Sequence, residues 1–262
     1  MNNSRSWLEN GARFGHFTKG VLYALIGALA LQAALGAGGQ VGGGQDAARF
    51  VGDQPFGRVL LVLIGIGLAG YAVWRLIEGI KDTEHKGSDG KGVAKRVGAV
   101  ASGLANGALA VAIFQMALGE SGGGGARSWV AQLLAQPFGG VLIGAVGVGI
   151  IVAGLVQFYK AYSKKFLEVL RVHAMSAKER RWVTRMGQVG YSARGVVFPL
   201  IGIALVRAAL NHNPGETKGV GEALVDIASS SYGQAMLTFV AIGFLAFGAF
   251  MVASAKYRNV AV

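Results

Sequence analysis

Six runs of about 20 apolar residues divide the chain, at roughly 17–36, 57–79, 98–118, 138–160, 190–210 and 233–255. A bilayer core of about 30 Å is crossed by about 20 residues of helix, so each run predicts a transmembrane helix. Between Asp226 and Lys256 there is no charged residue at all. Shorter, mildly amphipathic pieces stand between paired runs, such as QDAARFV from Gln45 and ARSWVAQLL from Ala126. Pieces of that kind suit the outer interface. Glycine-rich tracts at Gly38–Gly44 and Gly122–Gly125 predict turns or links.

The runs are not independent. GHFTKGVLYALIG at Gly15 returns as GYSARGVVFPLIG at Gly190, and QPFGRVLLVLIGIG at Gln54 returns as QPFGGVLIGAVGVG at Gln136, with a weaker SYGQAMLTFVAIG from Ser231. Copy two follows copy one by about 83 residues in its first helix and about 82 in its second; copy three follows by about 175 and 176. A fixed period of this kind marks a repeated supersecondary unit. The predicted organisation is a tail at 1–14, repeat one at 15–80, a loop at 81–97, repeat two at 98–162, a basic loop at 163–186, repeat three at 187–255 and a tail at 256–262. Two helices per repeat return the chain to the same side, so the repeats are parallel, related by an axis along the membrane normal. The expected fold is an all-α integral membrane protein of six transmembrane helices, closed as a pseudo-threefold bundle.

Composition agrees with this reading. Hydrophobic residues make up 53% of the chain and charged residues 15%, where a soluble domain carries about a quarter. The 43 glycines lie among Leu, Val, Ile and Ala, which suits close helix packing in lipid. The chain has no cysteine, so thiolate chemistry is excluded. The first 14 residues are polar and lack a cleavable leader pattern.

Net charge is +12, and its distribution carries the information. Of the 25 Lys and Arg residues, 17 lie in the two tails and in the loops near 81–96 and 160–185, and Lys19 stands at the start of the first run beside the N-terminal tail. The opposite loops hold only Arg49, Arg58, Arg127 and Lys218. The positive-inside rule then places both termini in the cytoplasm. Such loops predict contact with anionic lipid at the cytoplasmic face, and no nucleic acid.

Superposing the copies sorts the polar residues inside spans. Gln32, Gln115 and Arg207 occupy one equivalent position, with Arg207 about 8 Å from the midplane at 1.5 Å per residue. They form either a polar ring around the pseudo-axis or a hydrogen-bonded layer between helices, with Arg207 reaching outward. Arg75 and Glu78, at i and i+3, form an inner-interface ion pair. Their counterparts are Gln157 and Lys160 in copy two and Met251 and Ser254 in copy three. Asn106 is a mid-span amide whose place Tyr23 and Phe198 take elsewhere. Pro199 frees the carbonyl of Gly195, a candidate hinge. Gly103 with Gly107 and Gly140 with Gly144 spell GxxxG, a sign of close helix contact.

Catalytic patterns are missing. His16, His85, His173 and His212 are scattered, with no second ligand at helical spacing, so neither metal nor haem is expected. His16 and Arg13, at the start of the first span, read as solvated or headgroup-facing. NHNPGETKG from Asn211 lacks the ending of a phosphate loop, and there is no GxSxG. No cofactor and no enzymatic activity are expected.

The triple hairpin, GHFTKGVLYALIG, YAVWRLIEG, the repeated QPFG and GYSARGVVFPLIG together resemble a bacterial membrane family, domain of unknown function 1206, from about Ala12 to Arg258. The resemblance implies a six-helix protein of the bacterial inner membrane and no activity. Mitochondrial carriers also triple a two-helix unit, but their proline-acid-basic signature is absent from the odd helices. Two functions stay open. One is a non-enzymatic structural or accessory subunit, with other membrane subunits or copies of itself as partners. The other is a small-solute or ion channel built on the Gln32, Gln115 and Arg207 layer. An enzyme acting on lipid or quinone ranks third.

Overall fold

In the computed structural model, residues 2–37, 41–82, 87, 89–120 and 126–258 are described. His85 and the Gly122–Gly125 tract lie outside them. Six long helices are apolar enough to cross a membrane: α1 (Asn2–Ala34), α3 (Gly57–Lys81), α4 (Gly90–Ala117), α6 (Gly139–Ser163), α7 (Ala177–Leu210) and α9 (Gly233–Tyr257). Between the two spans of each repeat lies one nine-residue helix: α2 (Gly44–Gly52), α5 (Ala126–Leu134) and α8 (Val220–Ala228). The chain is therefore a multi-pass, all-helical membrane protein of three repeats. Three spans run well beyond the apolar pattern. α1 continues back to Asn2 through the expected tail, α4 begins at Gly90 within the expected 81–97 loop, and α7 begins at Ala177 within the expected basic loop. Ser176 and Glu179 explain the start of α7. The Ser176 hydroxyl accepts from the Glu179 amide, and Glu179 accepts from the Ser176 amide, a reciprocal cap.

The short helices do not rest passively on the surface. Ala47, Ala48 and Val51 of α2 are buried, as are Ala223, Leu224 and Ile227 of α8. Equivalent acids start both: Asp46 accepts from the Gly43 amide at 2.8 Å and Glu222 from the Gly219 amide at 3.0 Å. A tight reversal then feeds the next span. In QPFG, Phe56 and Phe138 adopt φ of 62° and 64°. The following glycine runs so close to the preceding helix that a Cβ would lie 2.1 Å from Gly52 O at Gly57 and 1.7 Å from Leu133 O at Gly139. Copy three keeps the glycine: a Cβ on Gly233 would lie 2.0 Å from Ala228 O, while Tyr232 has φ −111°. This backbone need explains why the motif recurs.

The helices pack as repeats interlocked head to tail. The second helix of each repeat lies on the first helix of the next: α3 on α4, α6 on α7, and α9 back on α1. Small residues set these crossings. A Cβ on Gly27 would lie 2.8 Å from Ala241 O, and at the equivalent crossing a Cβ on Gly202 would lie 2.6 Å from Gly147 O. Gly20 and Gly248 approach in the same way, with a Cβ on Gly248 2.7 Å from Gly20 O. Close approach is how helices gain dispersion energy in lipid, where no hydrophobic drive holds them together.

Within repeats the threefold pattern is incomplete. α1 packs on α3 and α7 on α9, but α4 and α6 are not a packed pair. The six spans follow one another as α4, α3, α1, α9, α7, α6, open between the two ends. Equivalent residues record the difference. Gly15, Thr18 and Leu22 in copy one are buried, as are Gly190, Ala193 and Val197 in copy three. Their counterparts Gly98, Ala101 and Ala105 are exposed. On the facing helix, Gly67, Tyr71 and Trp74, and likewise Gly243, Phe247 and Phe250, are buried, whereas Gly149, Ala153 and Val156 are exposed.

Candidate functional site

The most concentrated chemistry lies where α1 crosses α3 and α7 crosses α9, toward the end that carries the basic loops. Gly15 lets α3 in: a Cβ there would sit 2.7 Å from Tyr71 Cβ, and its repeat counterpart Gly190 stands at the same 2.7 Å from Phe247 Cβ. The next residues grip the ring. His16 meets Tyr71 edge-on with centroids 5.1 Å apart, and Tyr191 meets Phe247 in the same way at 5.4 Å. One turn on, a cation covers the ring. Lys19 Nζ lies 4.2 Å from the Tyr71 centroid, and Arg194 Cζ lies 4.4 Å from that of Phe247. Two copies of the repeat thus build the same glycine, aromatic and cation constellation. In copy two these places hold Gly98, Ala99, Ser102 and Ala153, and the constellation is gone.

Arg194 is the centre of the larger cage. Besides Phe247, its guanidinium carbon lies 4.6 Å from the Phe198 ring, 5.6 Å from Tyr23 and 6.0 Å from Tyr191. Its Nε is buried without a hydrogen-bond partner. Aromatic faces stabilise such a cation by about 2 kcal/mol or more where water is excluded. Lys19 is itself buried, 8% exposed, and His16 is 2% exposed. The expected solvated role for His16 is therefore corrected. Tyr71 covers it, and its Nδ1 lies 2.7 Å from Ala12 O, where the protonated ring nitrogen donates. Gly15 and the close α3 contact leave that face of α1 no access to water.

Arg75 and Glu78 sit beside this crossing. Arg75 Nη1 donates to Glu78 Oε2 at 2.5 Å, with the Glu78 side chain 1% exposed and that of Arg75 19% exposed. The arrangement is a clamp of alternating cations and rings that ties α1, α3, α7 and α9 together. Among the described residues no group of three His, Asp or Glu side chains could hold a metal ion.

The other sequence-marked residues do not converge. Gln32 and Arg207 are exposed and Gln115 is half-buried. Asn106 donates from Nδ2 to Ser102 O at 2.6 Å, within its own helix. α7 runs unbroken through Pro199. α6 packs against it there: a Cβ on Gly154 would lie 2.4 Å from Pro199 Cδ, and one on Gly195 would lie 2.8 Å from the Phe158 ring. An open cleft of about 710 Å³ lies at the basic end, lined by Lys164, Arg180, Arg181, Thr184, Arg185 and Gln188 among others.

Sequence reasoning missed Lys19, Tyr71, Arg194 and Phe247. The signal was present: superposed copies align Lys19 with Arg194 and Tyr71 with Phe247.

The sequence model of the family described as Domain of Unknown Function (DUF1206) matches three times, at residues 14–82, 97–164 and 189–258, one match per repeat. The chain is also 32% identical over 257 residues to the uncharacterized protein YxxB of Bacillus subtilis (strain 168), covering 98% of this chain and 93% of that protein. No solved structure matches.

Proposed function

The chain belongs to the DUF1206 family, and from that premise we propose that it is a non-enzymatic structural subunit of the bacterial inner membrane, with both termini in the cytoplasm. One observation carries the reading: the interior is filled. Val197, Val240 and Phe244 are 0% exposed, with Leu22 and Ile26 at 4% beside them. A dry, packed centre supports assembly and not conduction. The exposed Gln32 and Arg207 favour a layer that meets the surroundings of the bundle over one that lines a path. The positive-inside bias supports the orientation. Anionic headgroups are the fitting partners for Lys164, Arg180, Arg181 and Arg185 at the basic cleft.

The test is solute flux. The purified chain in liposomes is expected to pass neither small anions nor small neutral solutes. Flux in the wild type that Arg207→Ala abolishes would overturn the reading and establish the channel alternative.

A further inference from the structure

We propose that the open seam between α4 and α6 is filled by a second copy of this chain, α4 of each packing on α6 of the other. The proposal deepens the subunit reading and rests on it. Lipid exposure alone means nothing on a membrane helix. The residue types are what distinguish this face. Along α4 the exposed positions Ala94, Gly98, Ala101, Ala105 and Ala108 follow the 3- and 4-residue spacing of one helix face. The neighbouring exposed stripe of the same helix instead holds Val97, Leu104 and Val111. Asn106 and Ser102 border the same face, half-buried, and the Asn106 amide donates only to Ser102. A polar amide at mid-span is costly against lipid and stabilising against another helix.

The repeats say what fits there. The α1 and α7 positions matching Gly98 and Ala101 are Gly15 and Thr18, and Gly190 and Ala193. Each is covered by the second helix of its own repeat, at Tyr71 and Gly67 and at Phe247 and Gly243. The counterpart in copy two is α6, at Ala153 and Gly149. Yet among the described residues, apart from the helix's own adjoining backbone, nothing lies within 4 Å of a Cβ built on Gly98 or Gly149. Thus α4 presents a face shaped for α6, α6 presents a face shaped for α4, and the two stand at opposite ends of the helix row. A second copy supplies both. A twofold axis along the membrane normal keeps both chains in the same orientation, preserves the antiparallel sense of the pairing, and closes both open ends at once.

The natural absence of cysteine makes the test direct. Ala101→Cys and Ala153→Cys are combined in one chain, expressed in membranes, and treated with a short bis-maleimide. Copy one places the equivalent residues, Thr18 and Tyr71, on the two sides of one crossing, within reach of such a linker. The expected product is a covalent dimer. Gly149→Trp, at a position where a Cβ meets no other helix of the monomer within 4 Å, is expected to reduce that dimer at least tenfold while leaving helix content unchanged. A cross-link only within one chain would show that the repeat closes on itself, and no cross-link would show that lipid covers the seam; either overturns the proposal. Flux measurements are independent of it, so an uncross-linked, non-conducting chain would sink this inference and leave the subunit reading in place.

Discussion

The ammonium group of Lys19 lies 4.2 Å from the centre of the Tyr71 ring, and Arg194 repeats the arrangement at 4.4 Å over Phe247. The two pairs are related by the internal repeat, so each serves as a control for the other. The phenol of Tyr71 has no counterpart on Phe247, whereas the ring face does. Tyr71→Phe is therefore expected to leave thermal stability in detergent nearly unchanged. Lys19→Met, which keeps the stem and removes the charge, is expected to cost about 1–2 kcal/mol. Equal unfolding temperatures for Lys19→Met and wild type would show that the cation contributes nothing.

Arg75 and Glu78 make a different demand. Glu78 is buried to within 1% and its carboxylate takes a bond from Arg75. Breaking one side of a buried ion pair leaves a charge without its partner, at about 3–5 kcal/mol. Glu78→Leu alone is expected to lose that much. The double variant Arg75→Met with Glu78→Leu is expected to recover most of it, in line with Met251 at the Arg75 position of copy three. Chemical unfolding of the three proteins measures this. A double variant no better than the single one would mean that the pair is not the unit.

Much of the fold is legible in the sequence because hydropathy and repetition act locally. The six spans, the paired repeats and the short helices near Gln45 and Ala126 follow from apolar runs and the recurrence of QPFG. The pairing of Arg75 with Glu78 follows from their i, i+3 spacing alone. What could not be read is which helix faces meet. His16 reads as solvated because it stands with Arg13 at the start of the first span, but Gly15 admits α3 and Tyr71 covers the imidazole. The layer of Gln32, Gln115 and Arg207 shares a sequence position, and a shared position fixes depth without fixing direction. Nor does the repeat reveal that copy two opens. The hint was in Ser102, Ala105 and Ala153, small residues standing where copies one and three carry Lys19, Leu22 and Tyr71, or Arg194, Val197 and Phe247.

Glycine positions separate formed seams from the open one. Gly248→Ala would force a Cβ to 2.7 Å from Gly20 O, at the crossing of α9 and α1. Overpacking of that kind costs about 1–3 kcal/mol. At Gly98→Ala the new Cβ meets no other helix among the described residues within 4 Å. On monomer stability it is expected to be neutral, or to gain up to about 1 kcal/mol from helix propensity. Melting of detergent-solubilised monomer gives the comparison. A loss at Gly98 matching that at Gly248 would show that the seam is already closed within one chain.

The QPFG reversal offers a test that separates backbone strain from anchoring. Phe56 and Phe138 sit at φ of 62° and 64°, 82% and 83% exposed, at the start of α3 and α6. Aromatic rings at that level suit the membrane interface, so removing one ring has an effect of its own. Both Phe56→Ala and Phe56→Asn remove it. Only Asn tolerates the left-handed backbone, where its short amide bonds locally. Phe56→Asn is therefore expected to be more stable than Phe56→Ala by about 0.5–1 kcal/mol, and Phe138 should behave alike. Tyr232 stands at φ −111° in copy three and supplies the control. There the two substitutions are expected to be equivalent. Thermal melts of the six variants decide it, and an Asn advantage at Tyr232 as large as that at Phe56 would show that the left-handed backbone is not its source.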